Sequence, residues 1–220
     1  LAYAFWGDRF TGVLGHAPLS AKRILEQISI TSEGIFGSSL GISATYVVIF
    51  IILAGFLETT GAGQFFIDIA SSATGTKRGG PAKIAVVGSC LFGSISGSSV
   101  ANVVSTGTFT IPLSKSVGYP SYFAGAVEAV ASTGGQLMPP VMAAVAFIMA
   151  DNPSVPYISI CGAALIPAVL YYWSLFSMVD AKAVKLGIAG LKKEQLPKGR
   201  EVLKNGWFLA LPFLVLIALM

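Results

Sequence analysis

Charged residues are scarce in this chain, and their scarcity excludes an ordinary soluble domain. Only 11% of the 220 residues are Asp, Glu, Lys or Arg, whereas 54% are hydrophobic. A soluble domain carries about 25% charged residues. The composition therefore predicts an all-α integral membrane protein. The excess of 14 basic over 10 acidic residues is typical of cytoplasmic loops in such a protein, and not of nucleic-acid binding.

Cysteine and histidine are nearly absent as well. Cys90 and Cys161 lie in apolar runs and are predicted to be reduced hydrophobic residues, not a disulfide. The single histidine, His16, has no partner in its polar segment for metal binding or acid–base chemistry. The sequence has no Ser-His-Asp, Cys-His or metal-ligand pattern. We therefore expect neither an enzyme, nor a transition-metal site, nor an organic cofactor.

Charge-free runs indicate the membrane segments, because a spanning helix needs about 20 apolar residues. Residues 34–57 and 152–179 each fit one span, and 205–220 reads as the start of another. The first residue is not methionine, and both ends resemble interrupted membrane helices. We expect a segment of a longer protein.

The run 84–114 is too long for one span, and its middle, GSISGSS at 93–99, is too polar. The segment 180–205 holds seven basic residues and is predicted to be a solvated cytoplasmic loop. A re-entrant hairpin at 84–114, ended by Pro112, would then keep its basic flanks on the same side as that loop. Irregular backbone deep in a membrane must be buried in protein or line a wet cavity.

A second interruption lies in the run 122–150, which contains TGGQLMPP. Gly134 and Gly135 loosen the backbone there, and the proline pair at 139 and 140 withholds two amide donors. This run is predicted to be a broken transmembrane helix. Two interrupted segments in one membrane region indicate a transport site near the midplane.

These segments divide the chain into three parts. Residues 1–83 are predicted to hold the end of a membrane helix, an interfacial segment, a scaffold-type helix and an amphipathic arm. The arm follows Glu58 and is either a helix along the membrane surface or the ragged end of the preceding span. Residues 84–150 form the transport-type half. Residues 151–220 hold a transmembrane helix, the basic loop 180–205 and the start of a further helix.

Two long motifs then suggest a family. GSISGSSVANVVSTGTFTIPLSKSVGY, followed by FAGAVEAVASTGGQLMPPVMAAVAFIMA, resembles the large, DctM-like membrane component of TRAP (tripartite ATP-independent periplasmic) transporters. The closest resemblance is to the fused permeases of the TAXI subfamily. It implies an ion-transporter-superfamily elevator fold, of which this chain holds the first of two inverted repeats.

The same resemblance implies a function and partners. It implies Na⁺-coupled import of organic acids, such as C4-dicarboxylates, across the cytoplasmic (inner) membrane of a bacterium or archaeon. A periplasmic solute-binding protein would deliver the substrate. The other partners implied are the lipid bilayer and the rest of the permease, namely the second inverted repeat and small-subunit-like helices.

Site residues follow from the resemblance by position. The hairpin tip and the helix break are expected to form one Na⁺ site and part of the substrate site. The expected Na⁺ ligands are Ser96, Gly97, Ser98, Ser132, Thr133, Gly134 and Gly135, and the expected substrate residues are Ser98, Ser99, Asn102 and Pro139. Glu128, an acid within a predicted membrane run, is expected to be a proton carrier or a polar anchor, and a purely structural role is equally open.

Three other functions stay open on the sequence alone. A membrane-embedded hydrolase or phosphatase can also use re-entrant hairpins, but no base lies near residues 96–99 in the sequence. A scaffold subunit that does not transport would use the small residues for close packing alone. A passive channel would show flux that neither saturates nor needs a gradient.

Overall fold

The computed structural model describes residues 2–31, 34–150 and 155–219. Within these ranges every regular element is a helix. The chain divides into two compact units, Leu1–Val48 and Ile49–Met220. The expected all-α class is confirmed for the described residues.

In its described residues the first unit contains three short α-helices, α1 (Ala2–Trp6), α2 (Ala21–Ser29) and α3 (Ser38–Ile42). Ser20 caps α2, and its hydroxyl accepts from the Arg23 amide at 3.3 Å. A π-helical turn, Ser43–Val47, follows α3 and leads into α4 (Val48–Thr59). The stretch Leu40–Thr59 is apolar and long enough to cross a membrane.

In the second unit a separate helix, α5 (Ala62–Thr74), follows α4. Gly61 has a φ of +90° and redirects the chain between the two helices. Phe65, Phe66 and Ala70 lie on the buried face of α5. In this structure the arm is a helix that the turn at Gly61 separates from α4.

The predicted hairpin consists of two helices, α6 (Gly80–Ser96) and α7 (Ser99–Ser116). They extend the predicted bounds 84–114 at both ends. Pro112 lies inside α7 and does not end it. Proline removes one helical hydrogen bond, and the buried Thr110 and Ser114 on either side of it keep α7 packed.

The run 122–150 contains α8 (Ser121–Gly134), a non-helical linker at 135–143 and α9 (Ala144–Ala150). Next comes α10 (Tyr157–Leu186), whose length and hydropathy also suit a membrane span. The last helix is α11 (Gly199–Leu219).

The predicted basic loop 180–205 is shorter than expected. Helix α10 continues to Leu186, where Gly187 ends it in the left-handed region at φ +66°. Helix α11 already begins at Gly199, so the linker between the helices is 187–198. Lys83, the basic residue that precedes the predicted hairpin, lies in the first turn of α6 with its side chain only 5% exposed. The reason is an ion pair with Asp180.

The two largest apolar clusters among the described residues lie in the second unit. One joins α6, α8 and α10, and its members include Val86, Val127, Ala131, Leu175 and Val179. The other joins α5, α6 and α11, and its members include Phe65, Phe66, Phe92 and Leu209. Helix α6 belongs to both clusters. The hairpin therefore has a packed support on two sides.

Candidate functional site

The tip of the hairpin is a two-residue turn. Gly97 has a φ of +57°, and its amide donates to the Gly93 carbonyl at 3.0 Å, which closes α6. Ser98 then caps α7, because its hydroxyl accepts from the Ala101 amide at 3.3 Å. The Ser96 hydroxyl lies 3.4 Å from the Ser98 carbonyl oxygen. Two hydroxyls thus lie at the N-terminus of an 18-residue helix.

This tip contacts the linker that breaks the α8–α9 run. The Val141 amide donates to the Ser94 carbonyl at 3.1 Å. The Gln136 side-chain amide donates to the Ser99 hydroxyl at 3.1 Å. These two hydrogen bonds bring together the two interrupted segments that the sequence suggested.

Glycines make this contact close. A Cβ atom on Gly93 would lie 2.5 Å from Gly135 Cα, and one on Gly97 would lie 1.9 Å from the Met142 carbonyl oxygen. Such distances are far inside van der Waals contact. The two backbones can therefore approach as they do only without side chains at these positions.

Helix α10 holds the linker from its other side. The Tyr157 hydroxyl lies 3.0 Å from the Pro140 carbonyl oxygen and 2.6 Å from that of Val141. The Pro139–Pro140 peptide bond is cis, and Met142 has a φ of +55°. A left-handed Met is an uncommon backbone conformation that persists where surrounding contacts fix it.

A buried polar layer lies behind the tip, centred on Glu128 of α8. Its carboxylate is fully buried and accepts from hydroxyls of both hairpin helices and of its own helix. The donors are Ser89 (3.0 Å), Thr106, Thr110 and Ser132 (3.4 Å). Buried carboxylates are stable only when hydrogen-bonded or paired. Glu128 therefore ties α6, α7 and α8 together through hydroxyl groups.

Asn102, an expected substrate residue, belongs to the same layer. Its side chain is fully buried, and its amide nitrogen donates to the Ser89 carbonyl at 2.8 Å. Its side-chain oxygen lies 3.2 Å from the Thr106 hydroxyl. In this structure Asn102 joins α7 to α6 inside the hairpin.

The other expected residues fall into two groups. Those at or behind the contact between tip and linker are Ser96, Gly97, Ser98, Ser99, Ser132 and Gly135. Thr133 and Gly134 are directed elsewhere: the Thr133 hydroxyl bonds to the Ala129 carbonyl on an exposed face, and Gly134 packs against the Tyr171 and Tyr172 rings of α10. Consecutive residues on a helix point about 100° apart, so four in a row cannot share one face. Pro139 lies in the linker, half-buried.

Sequence reasoning missed three of the groups that bond to Glu128. Thr106 and Thr110 follow Asn102 at intervals of four, which places all three on one face of α7. That spacing was visible in the sequence and predicts a polar stripe. Ser89 had no such signal, because a single serine in an apolar helix does not indicate which residues it contacts.

Hydroxyl and carbonyl groups lie at the tip, next to the N-terminus of α7. Hydroxyl and carbonyl oxygens at the tip are the ligands that Na⁺ takes from broken membrane helices, and the N-terminus of α7 carries partial positive charge. Interrupted helical segments of this kind are typical of secondary transporters. A sequence profile of the "Tripartite ATP-independent periplasmic transporter, DctM component" matches residues 3–220. The chain belongs to this family of TRAP transporter components.

Several curated proteins are similar to the chain. The C4-dicarboxylate TRAP transporter large permease protein DctM of Pseudomonas aeruginosa is 35% identical over 121 residues, 55% of this chain and 28% of that protein. The protein of that name in Vibrio cholerae is 30% identical over 194 residues, 86% of this chain and 42% of that protein. The sialic acid TRAP transporter permease protein SiaT of Haemophilus influenzae is 30% identical over 171 residues, 76% of this chain and 27% of that protein. The chain thus spans less than half the length of these relatives.

Proposed function

We propose that this chain forms one half of the transport site in a secondary active importer of organic acids. The observation that carries the proposal is the contact between the hairpin tip and the helix break, through the Val141–Ser94 and Gln136–Ser99 hydrogen bonds. Interrupted helices that meet in this way supply ion and substrate ligands in secondary transporters. Among the functions considered, the contact favours transport over scaffolding, because close packing alone needs no polar groups at the tip.

Na⁺ is the coupling ion of the proposal. The Ser96 and Ser98 hydroxyls and the carbonyls of the tip and linker would bind it, and Glu128 would anchor the three helices behind it. A substrate carboxylate would bind beside the ion at the N-terminus of α7, near Ser99, where the helix dipole favours negative charge. Substrate uptake is coupled to Na⁺ if bound Na⁺ makes the binding free energy of the substrate more favourable by about 1–3 kcal/mol.

The substrates named for two of the relatives support an acidic substrate. C4-dicarboxylates and sialic acid differ in size, yet both carry a carboxylate. We therefore assign the class of organic acids and propose a C4-dicarboxylate or a related carboxylate. We further propose that a periplasmic solute-binding protein, in particular a TAXI-type receptor, delivers the substrate. The permease would lie in the inner membrane.

An elevator motion would carry the site across the membrane. Helices α6, α7 and α8 share the polar layer around Glu128, and α6, α8 and α10 share an apolar cluster. These helices would move as one body. The second inverted repeat of the full-length permease would supply the other half of the site.

The test is uptake by the full-length permease in proteoliposomes. The matching binding protein and a labelled dicarboxylate are added outside, with an inward gradient of Na⁺ or, at equal ionic strength, of K⁺. Saturable uptake that needs both Na⁺ and the binding protein is expected. Uptake driven equally by a pH gradient without Na⁺ would refute the assignment of the coupling ion, and flux that does not saturate would indicate a channel.

A further inference from the structure

A cluster of opposite charges lies at the base of the hairpin, at the other end from its tip. One carboxylate oxygen of Asp180, near the end of α10, accepts from Lys83 Nζ, and the other accepts from Arg78 Nη2. Lys83 lies in the first turn of α6, and Arg78 precedes that helix. Asp180 therefore joins the start of the hairpin to a helix about a hundred residues later in the chain.

Burial makes this pair more than a surface salt bridge. The Lys83 side chain is 5% exposed, and its ammonium lies 4.7 Å from the centroid of the Phe176 ring. Asp180 is 30% exposed and Arg78 56%. Exposed pairs contribute little, but removing one partner of a buried charge leaves the other uncompensated. Within the described residues, Asp180 is the acid that pairs with Lys83.

Backbone hydrogen bonds reinforce the same connection. The Gly79 amide donates to the Ile188 carbonyl at 3.3 Å, and the Leu191 amide donates to the Gly75 carbonyl at 2.9 Å. The residues that follow α10 therefore bind the turn that precedes α6. We call the Asp180 ion pairs and these two bonds the base joint.

Helix α10 also contacts the broken helix, through residues about two turns before Asp180. The Tyr172 hydroxyl donates to the Ala131 carbonyl at 2.9 Å, and the Tyr171 hydroxyl donates to that of Val130 at 2.8 Å. Both bonds lie about one turn before the break. One helix thus holds the hairpin by its base and the broken helix near its interruption.

These two attachments fix the hairpin tip against the break. Lys83 lies 14 residues before Gly97 in sequence, about 21 Å along α6, and Asp180 lies eight residues after Tyr172, about 12 Å along α10. Both helices are continuous over these lengths, so a shift at the base is transmitted to the tip. We propose that Asp180 and Lys83 are positioning residues for the transport site, which set the height of the tip relative to the break. This inference rests on the proposed function.

The first test measures transport by the full-length permease with its binding protein in proteoliposomes. Asp180→Asn is expected to raise the Na⁺ concentration for half-maximal uptake by about tenfold, because mispositioned ligands bind the ion less well. Asp180→Glu, which keeps the charge, is expected to restore most of the loss. Glu194→Gln removes an exposed acid of the linker and is the matched control with wild-type kinetics.

The kinetic readout separates positioning from stability. A purely structural role would lower the amount of active permease and the maximal rate, while the half-maximal Na⁺ concentration stayed the same. An unchanged value in Asp180→Asn would overturn the inference. Absence of Na⁺-dependent uptake in the wild type would refute the proposed function instead.

A second measurement does not depend on transport. Ser99→Cys and Gln136→Cys are introduced together in full-length permease whose Cys90 and Cys161 are replaced by alanine. A short bifunctional thiol reagent should cross-link the two cysteines rapidly, because the native side chains are in contact and the reagent spans the length that is lost when glutamine is replaced by the shorter cysteine. Adding Asp180→Asn should slow the reaction severalfold. Equal rates with and without that substitution would show that the base joint does not position the tip.

Discussion

The backbones of Gly93 and Gly135 pack directly against each other where the hairpin meets the helix break. A Cβ atom on either would come within 2.6 Å of the other's Cα atom. Each also lies near the Asn102 side-chain amide, which would be 2.9 Å from a Cβ on Gly93. The contact therefore tolerates no side chain on either backbone.

Alanine at either glycine is expected to separate the tip from the break. The nearest atoms that a new Cβ would meet are backbone Cα atoms, which cannot move aside as the end of a flexible side chain can. The overpacking should therefore lower the free energy of unfolding by about 1–3 kcal/mol. Gly93→Ala and Gly135→Ala in the full-length permease should each lower both the uptake rate and the unfolding temperature. Gly125→Ala is the control, because a Cβ there meets no atom within 4 Å. Wild-type uptake in Gly93→Ala would contradict the close contact.

The hairpin shows how far the sequence could predict the fold. Glycine and serine inside a charge-free run predicted the turn at 93–99, and the structure places it at Gly97 and Ser98. The helix ends were less predictable. The sequence predicted Lys83 only as a basic flank of the hairpin, and its partner Asp180 is 97 residues away. Long-range pairs of this kind leave no local pattern in a sequence.

The candidate site was predictable in its segments but not in its side-chain directions. Family resemblance selected residues 132–135 as a block, whereas helix geometry separates Ser132, which bonds to Glu128, from Thr133, which is exposed. The hydroxyls of α7 recur at intervals of four and could have been read as one face. The single Ser89 could not, because its role depends on which helix packs against it.

Ser98→Ala tests two roles of the Ser98 hydroxyl together, namely the N-terminal cap of α7 and the proposed Na⁺ ligand at the tip. Loss of a serine cap costs about 0.5–2 kcal/mol of stability, and the lost hydroxyl also removes an expected Na⁺ ligand. The half-maximal Na⁺ concentration for uptake should therefore rise severalfold, while the expressed amount of protein changes little. Ser116→Ala, at an exposed position at the other end of α7, should keep wild-type values. Unchanged Na⁺ dependence in Ser98→Ala would exclude Ser98 as a ligand.

Glu128→Gln tests the polar layer. The carboxyl group of Glu128 is hydrogen-bonded to four hydroxyl groups, and each buried polar group that is left unsatisfied costs about 1–3 kcal/mol. The amide also places two N–H donors among hydroxyls that now donate to the carboxylate. We expect a clear fall in unfolding temperature and at least about a tenfold lower uptake rate. Glu58→Gln, at an exposed carboxylate that accepts from Ser105, should have a much smaller effect. Equal effects of the two substitutions would remove any special role for Glu128.

Sodium should also stabilise the full-length permease without any substrate. A ligand that binds only the folded state adds about 2.7 kcal/mol at a concentration 100 times its dissociation constant. Thermal unfolding in detergent is therefore expected at a higher temperature in NaCl than in KCl of equal ionic strength. In Ser98→Ala the difference between the two salts should shrink, whereas in Ser116→Ala it should stay the same. Identical unfolding temperatures of the wild type in both salts would argue that the tip and break bind no Na⁺ before substrate arrives.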